Sequence, residues 1–98
     1  MDWQKLETLP KEVCVKILMH NKQTGAMALI GKIEKSMKVG KHKHPSDCHA
    51  LVLEGKLVDE KAGEIKTGMY CFFPANVEHG PEEVEKGTVL FLYANGSL

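Results

Sequence analysis

His42 and His44 stand two residues apart in Gly40-Lys41-His42-Lys43-His44-Pro45-Ser46-Asp47-Cys48-His49, and His79 closes a second segment, Gly68-Met69-Tyr70-Cys71-Phe72-Phe73-Pro74-Ala75-Asn76-Val77-Glu78-His79. Imidazoles gathered this way are the raw material of a metal site. In an extended strand the side chains at i and i+2 share a face, so His42 and His44 aim at one point if this stretch is β. Pro45-Ser46-Asp47 then turns the chain, which lets His49 re-enter beside them on the next strand despite its odd offset from His44. His79 arrives on a later strand as the fourth ligand. The expected site is one divalent transition metal held by His42, His44, His49 and His79, with three or all four of them binding. Such a set suits zinc, iron, copper or nickel, with manganese also open, and nothing in the residues selects the ion.

The elements that must carry these ligands read as short strands. Val13, Val15, Ile17 and Met19 share one parity, and Met27, Leu29, Gly31, Ile33, Met37 and Val39 share another register, each consistent with one buried face. Asn21-Lys22-Gln23-Thr24-Gly25 is a hairpin turn, and Glu60-Lys61-Ala62-Gly63 is a second, between a strand over 49–59 and a short one near Ile65. Met69 to Phe73 and Thr88 to Tyr93 supply the remaining strands, and helix is expected only as a turn near Gln4 to Leu9. The class is all-β, in one domain over 1–98.

Composition removes several function classes. Thirteen acidic residues balance thirteen basic ones, so there is no electrostatic footprint for nucleic acid or an anionic membrane. Every basic residue is lysine, and without arginine there is no bidentate fork for a carboxylate or phosphate. An anionic ligand would rely on the metal, on lysine ammonium groups or on backbone amides. The three cysteines, Cys14, Cys48 and Cys71, lack a C-x-x-C pair and are odd in number, which points to a reducing cytoplasm rather than a disulfide framework. No stretch approaches a membrane span, and the start of the chain has no export pattern.

The spacing of the histidines resembles the two motifs of the cupin family, G-(X)5-H-X-H-(X)3-4-E-(X)6-G and G-(X)5-P-X-G-(X)2-H-(X)3-N. His42 and His44 match the H-X-H, His49 stands where the family's glutamate ligand usually stands, and Gly55 falls close to the closing glycine. In the second motif Gly68, Pro74 and His79 match, Asn76 replaces the second glycine and Glu83 sits at the asparagine position. Asn76 is a mild departure, because asparagine tolerates a left-handed backbone. The run from His49 to Glu60 also looks like the subgroup that contains the C-terminal domain of ChrR-type anti-sigma factors. The resemblance implies a double-stranded β-helix, a jelly-roll barrel of two antiparallel sheets, enclosing the metal. With histidine in place of glutamate, four neutral imidazoles would leave the full charge of a divalent ion to favour an anionic or enolisable chelating ligand.

Two functions fit that resemblance. One is an oxygen-dependent dioxygenase acting on a small chelating acid or diketone. The other is a non-catalytic cupin module that senses a ligand or regulates a partner. Absence of a sigma-binding helical segment from the sequence tilts the expectation toward a free-standing enzyme or sensor. Tyr70, Phe72, Phe73, Phe91 and Tyr93 are expected to line the barrel, Cys48 and Cys71 to pack in the core, and His20, Lys41, Lys43 and Glu78 to be exposed. Small barrels protect their strand edges, so a homodimer is expected, with the segment around Trp3 and Leu6 in the contact.

Overall fold

In the computed structural model, which describes residues 2–98, the apolar alternation becomes nine strands: β1 Val13–His20, β2 Met27–Ile33, β3 Met37–Val39, β4 Cys48–Glu54, β5 Lys56–Asp59, β6 Gly63–Lys66, β7 Tyr70–Phe73, β8 Glu82–Val84 and β9 Val89–Ala94. There is no helix among the described residues, and so none long and apolar enough to cross a membrane. The strands form two antiparallel sheets, a five-stranded one ordered β1-β2-β9-β4-β7 and a four-stranded one ordered β3-β8-β5-β6. This is the jelly roll that the motifs implied. No hydrogen-bonded ladder joins the sheets among the described residues, so it is a two-sheet sandwich rather than a closed barrel.

Two of the expected strands are each divided between the sheets. The Met27 to Val39 register keeps its parity but breaks at Glu34 to Ser36, leaving β2 in the large sheet and β3 in the small one. The stretch 49–59 breaks at Gly55, whose φ of +84° takes the chain from β4 in one sheet to β5 in the other. The strand β8 has no apolar signature: Glu82-Glu83-Val84 reads as surface, yet Glu82 and Val84 are buried and Glu83 is exposed. Val13, Val15, Leu29 and Val52 of the large sheet meet Leu57, Ile65 and Val84 of the small one in the core. Burying each such side chain contributes roughly 1.5–3 kcal/mol.

Strand parity decides what reaches the interior. On β4, Cys48, Ala50 and Val52 are buried, while His49 and Leu51 alternate to the outer face. The register of β4 with β7 and β9 extends that face: His49 pairs with Phe72 and Tyr93, and Leu51 with Tyr70 and Phe91.

Candidate metal centre

Backbone bonds bring the two histidine segments together. The His42 N–H donates to the His79 carbonyl at 2.9 Å and the His79 N–H to the His42 carbonyl at 2.8 Å, an isolated antiparallel bridge beyond the end of β3. The Asn76 N–H donates to the His44 carbonyl at 2.7 Å. Asn76 adopts φ 61°, the left-handed conformation for which asparagine can stand in for glycine. Asp47 ties the turn after His44 to the second segment, its Oδ1 accepting from the Ala75 N–H at 2.8 Å. Gly80, just past His79, has φ +92° and runs so close to Gly40 that an added Cβ would lie 3.1 Å from the Gly40 oxygen.

The result is a cluster of three imidazoles. His42, His44 and His79 each offer a nitrogen, all within 4.8 Å of one another, a group of the kind that can hold a metal ion. His42 Nδ1 lies 2.7 Å from the Gly40 carbonyl oxygen. A carbonyl only accepts, so Nδ1 carries a proton, and Nε2 is the nitrogen left to face the cluster. His79 is only 8% exposed, and neither of its ring nitrogens has a hydrogen-bond partner. A buried imidazole left so costs free energy, and metal ligation is an interaction that would satisfy one of the two nitrogens. Burial, helped by the neighbouring His42 and His44, lowers the His79 pKa to about 4. Burial and His42 also hold His44 below its ordinary value. Both rings are kept in the neutral form that a metal requires.

Two carboxylates border the cluster. Glu82 Oε2 is 3.6 Å and Asp59 Oδ1 4.0 Å from His79 Nδ1, while Glu82 Oε1 is 3.8 Å from His42 Nε2. Burial raises the Glu82 pKa to about 7 despite the pull of His42. Burial also opposes ionisation of Asp59, but N–H donors from Ala62, Lys61 and Gly80 outweigh it and hold that carboxyl below its usual range. Asp59 thereby anchors the turn that carries His79.

His49, expected as the fourth ligand, lies elsewhere. It points outward from β4, its Nδ1 2.6 Å from the Tyr70 hydroxyl and its ring among Phe72 and Tyr93. The reason is parity. The turn at Pro45 to Asp47 does bring β4 alongside, but it is Cys48 that enters on the inner face. Tyr70 and Phe72 are exposed on that same outer face with Phe91 and Tyr93, so of the five aromatics expected inside only Phe73 lines the interior, stacked on His79 at 4.1 Å. His20, Lys41, Lys43 and Glu78 are exposed, and Cys48 is buried.

The cluster forms part of the wall of a cavity of about 390 Å³ between the sheets. Aliphatic side chains such as Leu57, Leu90, Leu92, Ile33 and Met37 line it, and Glu82, the three imidazoles, Lys43 and Thr8 supply its polar groups. Few polar groups converging in an apolar cleft of this volume is the usual form of a small-molecule site.

The model of the ChrR cupin-like domain matches residues 1–98, the whole chain. The chain belongs to the ChrR cupin-like domain family. Comparison with curated proteins gave no match. Among solved structures, this ChrR cupin-like domain is similar to an RmlC-like cupin from Ralstonia eutropha, with a TM-score of 0.79 at 16% identity over 97% of this chain and 63% of that one. It is similar to the anti-sigma ChrR of Rhodobacter sphaeroides, solved in complex with SigE: TM-score 0.70, 25% identity, 95% of this chain and 49% of that one. An acetylacetone dioxygenase from Acinetobacter johnsonii shares the fold at a TM-score of 0.72 and 13% identity, over 98% of this chain and 74% of that one. The chain thus spans about three fifths of the first of these and half of the second.

Proposed function

We propose that this domain binds one divalent transition metal through His42, His44 and His79 and uses it to hold a small chelating molecule in the apolar cavity. The observation that carries this reading is the pair of partnerless nitrogens on buried His79, grouped with two further imidazoles at a cavity wall. When bound, the metal supplies Lewis acidity and open positions for a ligand's oxygens. The chain's own contribution is to fix the His42 tautomer through Gly40, keep His44 and His79 unprotonated, and surround the ligand's body with aliphatic side chains. The activity favoured is oxygen-dependent cleavage of a small diketone or hydroxy acid.

A second reading is a ligand sensor without turnover, and the full-length match to the ChrR cupin-like family supports it. Untagged protein should carry about one equivalent of metal by elemental analysis, and His79→Ala should lose most of it. Absence of metal and of any uptake of zinc, iron, nickel or copper would sink both readings. Oxygen consumption by the iron(II) form with a panel of diketones and hydroxy acids selects the enzyme, whereas a melting-temperature shift without turnover selects the sensor. Three free cysteines suit a reducing cytoplasm, and a second copy of this chain is the expected partner.

A further inference from the structure

Resting on the metal reading above, we propose that Glu82 is the fourth, anionic metal ligand, delivered from β8 of the four-stranded sheet into the role for which spacing had nominated His49. Period-2 alternation sets its direction. Glu83 points outward, where Lys38 lies 3.5 Å away, so Glu82 and Val84 point in. The register of β8 then pairs Glu82 with Val39 on one side and Asp59 on the other, placing its carboxylate beside the His42–His79 bridge.

The chemistry of that placement calls for a cation. With Nδ1 held on the Gly40 carbonyl, the neutral ring of His42 would present its Nε2 lone pair to Glu82 Oε1, 3.8 Å away. Glu82 Oε2 lies 3.6 Å from His79 Nδ1, a nitrogen without a hydrogen-bond partner. Acceptors converging in an apolar interior repel unless a proton or a metal cation lies among them, and a metal ion would serve all of them at once. Ligand bonds of about 2.0–2.2 Å in a tetrahedral set put neighbouring donor atoms about 3.3 Å apart, so the Glu82 separations from His42 and His79 would need to close by about half an ångström, with a turn of the carboxylate toward His44, since Glu82 groups with His79 and Asp59. Asp59, the other nearby carboxylate, is already engaged: its oxygens accept from Gly80, Lys61 and Ala62, and its Oδ1 stands farther from His79 Nδ1, at 4.0 Å. With Glu82 bound, the site would carry one net positive charge rather than two.

The test is metal titration of the full chain with zinc and with cobalt(II), read by calorimetry and by the cobalt visible spectrum, on wild type, Glu82→Gln, Glu82→His and His49→Ala. Glu82→Gln should weaken binding by at least about tenfold and change the cobalt spectrum, Glu82→His should restore affinity with a third spectrum, and His49→Ala should match wild type. Glu82→Gln binding as tightly as wild type would overturn the assignment. Weaker binding with an unchanged cobalt spectrum would overturn it too, since Glu82 would then act only by orienting His79. If Glu82→Gln does not fold, the spectrum of Glu82→His decides, and one identical to wild type counts against a direct bond. Failure of wild type itself to bind metal is a different result, which removes the metal reading as a whole.

Discussion

At the scale of single residues, His79 and Glu82 are both buried in the cavity wall and both perturbed, in opposite senses. The His79 pKa is lowered to about 4 from an ordinary value near 6.5, so between those limits the unfolded chain holds a proton that the folded one does not. Its contribution to stability is full above about 6.5 and is lost as pH falls through about 4. The Glu82 pKa is raised from 4.5 to about 7, so its contribution is full below about 4.5 and is lost as pH rises through about 7. Over the shared window the two slopes oppose each other. Metal-free wild type should therefore show a shallow dependence of melting temperature on pH between 4.5 and 6.5, and Glu82→Gln should expose a clear fall toward acid. A flat profile in Glu82→Gln would contradict the neutral, buried state of His79. The three histidines were legible because H-X-H and the Gly, Pro and His spacing of the second segment are local patterns. Glu82 was not, since an isolated Glu-Glu-Val gives no sign of which carboxylate a three-residue strand will turn inward.

At the scale of elements, Gly55 is where one continuous apolar run becomes two strands in two sheets. Its φ is +84°, and an added Cβ would lie 2.6 Å from Thr88 Oγ1 and 2.9 Å from the Thr88 Cα, in a place where Thr88 is fully buried. Gly63 has nearly the same φ, +81°, but open space around it. Gly63→Ala should therefore show the conformational cost alone, about 1–2 kcal/mol. Gly55→Ala adds a clash with backbone that cannot move aside, and should at least double that loss, so that its melting temperature falls by ~10 °C or more. Equal losses in thermal melts of the two variants would show that the Thr88 contact yields. This pair also marks what periodicity reads well and what it misses. Alternation over 49–59 correctly signalled strand, but the residue that redirects the chain acts through a contact thirty-three positions away, and the inward face of β4 was set by tertiary register rather than by the His49 motif position.

At the scale of the whole molecule, the outer face of the five-stranded sheet is the feature that folding leaves unfinished. Tyr70 is 58% and Phe72 45% exposed there. Phe91, Tyr93, Leu51 and Ile30 continue the face inward from that edge, and Trp3 lies near the opposite edge under the ammonium groups of Lys16 and Lys32. Leu6, in the N-terminal segment expected in the dimer contact together with Trp3, is partly buried against the chain's own core. Apolar residues gathered on one face are a site for association, and a chain of zero net charge meets a second copy of itself without long-range repulsion. A standard interface covers about 800 Å² per partner, a modest share of the 5926 Å² that one chain exposes. Light scattering at micromolar concentration should give the dimer mass for wild type and the monomer mass for a Tyr70→Ser, Phe72→Ser double variant, with metal content unchanged because the imidazole cluster lies on the other side of the sheet. A wild type that stays monomeric would leave this face without its second copy, and a variant that loses both dimer and metal would show that the outer aromatics brace the cavity through β7 instead.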